Sequence, residues 1–70
     1  MKPKNDYIRD YLKNIPVGTQ FIIRDVVEKL STQGYYISTV MVRKHMESLD
    51  MFRMVRRDNK VKASIWEKIR

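Results

Sequence analysis

Ile37-Ser38-Thr39-Val40-Met41-Val42-Arg43-Lys44-His45-Met46-Glu47-Ser48-Leu49 reads as one helix with two unlike faces. Val42, His45, Met46 and Leu49 recur at steps of three and four, so they line one stripe. Val40, Arg43, Lys44 and Glu47 line the opposite stripe by the same spacing. The first stripe needs a core to cover it. The second offers two cations, a carboxylate and a small apolar group to a partner. A cationic hairpin follows at once. A helix that presents side chains, joined to a basic ribbon, is an arrangement suited to reading DNA.

The charge pattern agrees. The 70 residues carry a net charge of +7. Residues 1–37 hold six Lys/Arg against four Asp/Glu, whereas residues 38–70 hold nine against four. The excess therefore sits in the half with the candidate helix and hairpin, and it points to a polyanionic partner. A chain of this length buries only about 60% of its unfolded surface, so one small domain over residues 1–70 is expected, with residues 1–4 as a flexible arm. There is no cysteine, which fits a reducing compartment and removes disulfides and thiolate metal sites. No apolar run approaches the roughly 20 residues of a membrane span. The expectation is a cytoplasmic protein, or one of a host cell's cytoplasm or nucleoid, without a membrane partner.

Outward from the central helix, the chain divides into short elements. Asn5 is a good N-cap for a first helix, and Tyr7, Ile8, Tyr11, Leu12 and Ile15 form its apolar stripe. Pro16 ends it. Thr19-Gln20-Phe21-Ile22 suits one short edge strand. Arg24 to Gln33 reads as a second helix with Ile23, Val26, Val27 and Leu30 inward, stopped by Gly34. Asp25 and Glu28 have capping-box spacing, which leaves its start open by a couple of residues. Ser38 or Thr39 caps the third helix, and Asp50 and Met51 close it. Phe52–Arg56 and Val61–Trp66 read as two strands, with the turn at Asp58-Asn59, because these residues tolerate positive φ. Alternation leaves open which face of the second strand is core. Glu67 to Arg70 reads as a charged tail with Ile69 docked.

This order of elements resembles a winged helix-turn-helix domain from about Asn5 to Ile69. The resemblance is carried by Gly18-Thr19-Gln20-Phe21 leading into the second helix, by Ser38-Thr39 leading into Val42–Leu49, and by Val55-Arg56-Arg57-Asp58-Asn59-Lys60 as the wing. It implies an α+β fold, a small winged helix of order α-β-α-α-β-β. It also implies a double-stranded DNA-binding protein and transcriptional regulator. The third helix would enter the major groove and the wing would touch the flanking backbone or minor groove. The second helix lacks the Ser/Thr cap of the family, and no dimerisation helix follows the wing. Solitary domains of this size also resemble accessory regulators of viruses and mobile elements.

Within that frame, Arg43 can bond a guanine edge with two parallel donors, while Lys44 acts as a point charge on base or phosphate. The competing reading of Arg43 is an i, i+4 ion pair with Glu47 on a solvated face. Val40 can touch a thymine methyl group, and Ser38 and Thr39 can cap the helix and bond a phosphate at once. Arg53, Arg56, Arg57, Lys60 and Lys62 against Asp58 give the hairpin region an excess of four positive charges. Arg56, Arg57, Asn59, Lys60 and Lys62 are its candidate DNA contacts. The DNA set is completed on the third helix by Ser38, Thr39, Val40, Arg43, Lys44 and Glu47.

His45, the lone histidine, reads as a satisfied helix residue rather than a metal ligand. Trp66 reads as a core or hairpin-base anchor. No nucleophile–base–orienter set and no glycine-rich phosphate loop is legible, so neither an enzymatic activity nor a cofactor is expected. Double-stranded DNA is the expected partner, with a homodimer or a partner protein on the DNA lengthening a short site. The alternative is an interaction module whose basic face docks on an acidic protein. That role needs an apolar anchor, and the exposed faces read as polar.

Overall fold

In the computed structural model, which describes residues 2–70, the elements are α1 (Lys4–Lys13), β1 (Gln20–Phe21), α2 (Ile23–Ser31), α3 (Thr39–Leu49), β2 (Phe52–Asp58) and β3 (Ala63–Lys68). The order α-β-α-α-β-β expected from the sequence is the one observed. The class is α+β, with three helices over a three-stranded antiparallel sheet of order β1-β3-β2.

The core forms where the helical stripes meet. Ile8 and Leu12 of α1, Val26 and Leu30 of α2, and Val42 and Met46 of α3 are buried together with Ile37 and Phe52. Ile8, Leu12, Leu30 and Val42 lose all solvent contact. Each such burial stabilises by roughly 1.5–3 kcal/mol, so these four side chains do most to hold the helices together. Tyr7, Tyr11, Phe21, Leu49 and Trp66 pack around them half-buried. Tyr7 stacks on Tyr35, with ring centroids 4.9 Å apart, and Phe21 meets Phe52 edge-on at 5.6 Å.

Several boundaries differ from expectation, each for a local reason. α1 starts at Lys4, with Pro3 at the N-cap position and no capping side chain, so Asn5 is already helical. Proline's fixed φ suits that entry. Met1 of the expected arm lies outside the described residues. Lys2 is tied to the body: its side chain pairs with Asp10, and its carbonyl accepts from the Tyr35 hydroxyl at 2.9 Å. α2 begins one residue earlier than read and ends at Ser31, with Thr32 as C-cap. Gly34 closes the turn that follows, at φ 91°. The left-handed residue that ends α3 is Asp50, at φ 54°, whose amide bonds back to the Met46 carbonyl.

The hairpin is longer than the sequence suggested. β2 runs on to Asp58 and β3 starts at Ala63, so the turn is Asn59–Lys62 rather than Asp58-Asn59. Asp58 Oδ1 accepts from the amides of Lys60 (2.8 Å) and Val61 (3.4 Å), which fixes Asp58 as the last strand residue. The positive φ falls on Lys62, at 53°. The expected charged tail is also corrected. β3 reaches Lys68, which is only 3% exposed. Its ammonium donates to the carbonyls of Lys13 (2.9 Å) and Ile15 (2.7 Å) at the end of α1, where helix carbonyls lack partners. Ile69 is held as expected, through its amide to the Met51 carbonyl at 2.8 Å.

Candidate nucleic-acid interface

The two faces of α3 separate as the spacing requires. Val42 and Met46 are buried, His45 and Leu49 are half-buried, and Val40, Arg43, Lys44 and Glu47 are exposed. Ser38 is the N-cap, its Oγ accepting from the Met41 amide at 3.3 Å, and Thr39 opens the first turn. α1 flanks one side of α3. His45 Nε2 lies 3.2 Å from Asn5 Oδ1, and Arg9 Nη1 donates to Ser48 Oγ at 3.3 Å. Burial, and then the Arg9 charge, hold the His45 pKa below its ordinary value.

The hairpin flanks the other side. Arg43 Nε sits 3.4 Å from Glu47 Oε1, and its guanidinium lies 5.8 Å from the centroid of the Trp66 ring. The i, i+4 pair therefore coexists with an outward position. Exposed pairs of this kind contribute about 0.3–0.5 kcal/mol, too little to hold Arg43 against a competing anion.

A register irregularity decides which hairpin cations face α3. Met54 pairs with Trp66 but Arg56 with Ile65, so Val55 is an extra residue on β2. Such a bulge reverses the facing of every residue beyond it. As a result Arg57, not Arg56, lies opposite Ser64 and on the Trp66 side of the sheet. Packing resolves the open facing of β3: Trp66 packs against the core and Lys68 is buried, so Ser64 and Trp66 look toward the helices, while Ile65 and Glu67 look away. Arg53 and Arg56 occupy the far face, within 3.8 Å of Glu67 and Asp58 respectively.

Of the eleven residues singled out from sequence, α3 gathers Val40, Arg43, Lys44 and Glu47 on one exposed stripe with Ser38 and Thr39 at its start. Asn59, Lys60 and Lys62 stand together in the exposed turn, next to Arg57. Arg56 is the one turned away. Sequence reasoning missed Arg24. It lines a cleft of about 190 Å³ together with Ile23, Thr39, Arg43, Ala63, Ser64 and Trp66. The missed signal was its place at the start of α2, which the turn before α3 brings beside the start of that helix.

The expectation of wholly polar exposed faces needs correction. Met54 is 55% exposed and Val55 38% on β2, Val61 is 40% exposed in the turn, and Val40 is 60% exposed on α3. Elsewhere, α1, the following loop, β1 and α2 enclose a groove of about 380 Å³ that includes Tyr11, Ile15, Phe21 and Val26. Among the described residues, no three His, Asp or Glu side chains gather as a metal-binding group, and no helix is long and apolar enough to cross a membrane.

No family model, curated protein or solved structure matches this chain.

Proposed function

We propose that the chain is a double-stranded DNA-binding protein of the winged helix-turn-helix kind, acting as a transcriptional regulator. α3 presents Val40, Lys44 and Glu47 to the major groove, with Arg43 at the hairpin-side edge of the same stripe. The hairpin turn, with Arg57, Asn59, Lys60 and Lys62, lies along the flanking backbone or minor groove. The observation that carries this reading is the distribution of unpaired cations. Lys44, Arg57, Lys60 and Lys62 take part in none of the ion pairs among the described residues; Lys44 is exposed on α3, the other three are exposed at the hairpin end, and Arg43 over Trp66 links the two elements. Unpaired cations are free to displace counterions from phosphates. One helix and one turn cover few base pairs, so selective binding calls for a second copy or a partner protein on a repeated or inverted site.

The test is titration of a mixed duplex at several salt concentrations. Four phosphate contacts give log affinity against log salt a slope of about −3 to −4. Affinity that stays constant from low to moderate salt refutes the reading.

A second reading has one observation of its own. Met54 and Val55 lie exposed on β2, the free edge strand, with Met54 on the Trp66 side of the sheet and Arg53 and Arg56 on the far side, and an acidic protein segment could dock along that edge. Arg53→Ala with Arg56→Ala separates the two, because these far-face cations would hold an acidic segment on that edge and do not face a strand lying against α3.

A further inference from the structure

We propose that the cleft between α2, α3 and β3 holds one backbone phosphodiester of duplex DNA, with Arg24 as its principal cation and Thr39 and Ser64 as hydroxyl donors. This inference rests on the DNA reading above and adds Arg24 and Ser64, which lie outside the sequence-derived set, to Thr39, which lies within it.

Four features of the cleft argue for it. Arg24 and Arg43 both line it, and its lining contains no carboxylate. The two arginines bring positive charge to one lining, and of the two Arg43 already has Glu47 at 3.4 Å, which leaves Arg24 as the cation an anion there would engage. Arg24 takes part in none of the five ion pairs among the described residues, so its guanidinium is free for a ligand. Thr39 and Ser64, hydroxyl-bearing residues of two different elements, share the lining, and a hydroxyl can donate to a phosphate oxygen. Finally, size and place select the ligand. At about 190 Å³ the cleft is smaller than the roughly 300–1,000 Å³ of small-molecule sites. It also lies between the exposed stripe of α3 and the hairpin, where a DNA strand contacting both must pass.

Trp66 is the only tryptophan of the chain and lines the cleft, so its fluorescence reports on occupancy. The experiment measures duplex binding by anisotropy and Trp66 emission together, for the wild-type chain, Arg24→Ala, Arg24→Lys and Ser64→Ala. Circular dichroism establishes that each variant is folded. Arg24→Ala is expected to lose about tenfold in affinity on preferred and scrambled duplexes alike, and to make the salt slope shallower by about one unit. Arg24→Lys is expected to restore the slope. A scan of neutral methylphosphonate linkages through the duplex needs no variant to fold. One linkage position should weaken the wild-type chain and leave Arg24→Ala indifferent.

Duplex binding by the wild type with unchanged affinity, slope and Trp66 response in Arg24→Ala overturns the phosphate site while the DNA reading stands. The absence of any linkage position that distinguishes the two proteins does the same. A Trp66 response that saturates with micromolar inorganic phosphate and is unmoved by duplex overturns the assignment to DNA in favour of a free anion. No duplex binding by the wild type at any salt removes the underlying reading and this site with it.

Discussion

Replacing Lys68 by Met should destabilise the domain by about 2 kcal/mol, and the structure shows which effects compete. Lys68 is 3% exposed and donates to the carbonyls of Lys13 at 2.9 Å and Ile15 at 2.7 Å, while its ammonium stands 5.8 Å from the centroid of the Phe52 ring. Methionine keeps most of the apolar stem and removes the cation. One consequence is favourable, since a dehydrated ammonium costs several kcal/mol and the variant escapes that cost. Against it, two carbonyls lose charge-assisted bonds worth about 1.5–3 kcal/mol each. The end of α1 also loses the cation that complements its dipole, at roughly 0.3–1 kcal/mol. Lys13 and Asn14 are exposed, so water reaches part of this helix end and recovers some of the loss. The balance is a net cost of about 1–3 kcal/mol. A 70-residue domain has only about 3.5–10 kcal/mol in total, so the loss is large. At about 4–8 °C per kcal/mol, a 2 kcal/mol loss lowers Tm by about 8–16 °C. Urea and thermal unfolding followed by far-UV circular dichroism measure it. Lys60→Met, in the exposed turn, serves as the control and should stay within about 0.5 kcal/mol. A Lys68→Met variant as stable as the wild type, with the control unchanged, would refute the argument that these carbonyls depend on the ammonium.

Two further outcomes are expected. Ser38→Ala should cost about 1 kcal/mol by removing the cap on the Met41 amide, whereas Ser38→Asp should keep stability but place a negative charge at the proposed phosphate contact. Duplex affinity that is equal for Ser38→Asp and wild type would remove Ser38 from the interface. Stability should also fall as pH drops below about 6.5, because the folded state disfavours charged His45 and the unfolded chain takes up the proton first. Urea midpoints near pH 7.5 and pH 5.5 should differ less in His45→Gln than in wild type. A pH dependence that persists intact in the variant would assign it elsewhere, though not to Asp10, which Lys2 holds below its ordinary 3.8.

What could be read from sequence follows the range of the interactions involved. The two faces of α3 were legible because helical spacing alone sorts Val42 and Met46 from Val40, Arg43, Lys44 and Glu47. The strands of the hairpin were legible from alternation. Its turn was misplaced because Asp58 acts through its side chain, accepting two amides ahead of it, instead of adopting the positive φ itself. The bulge at Val55 carries no glycine to announce it, yet it sets the facing of Arg56 and Arg57. Lys68 looked like tail because lysine is seldom buried. Its partners are 53 and 55 residues away, beyond the reach of any local pattern.

The same distinction governs how the charge of this chain should be used. Net charge sets the long-range attraction to a polyanion, and for that purpose paired and unpaired cations on the hairpin count together. Contact is different. Arg53 and Arg56 lie within 3.8 Å of Glu67 and Asp58 on the far face of the sheet, so they can add to encounter without gripping a strand that lies against α3. Arg57, Lys60 and Lys62 have no such partners among the described residues, and Arg57 is turned to the α3 side only by one extra residue in β2. The excess of four positive charges read from the hairpin sequence therefore overstates what a bound strand meets there. Arg24, which counted for nothing in that sum, lines the cleft between α3 and the hairpin because the fold carries the start of α2 there. A salt slope measures contacts, not net charge, so on this argument Arg56→Ala should change it less than Arg24→Ala.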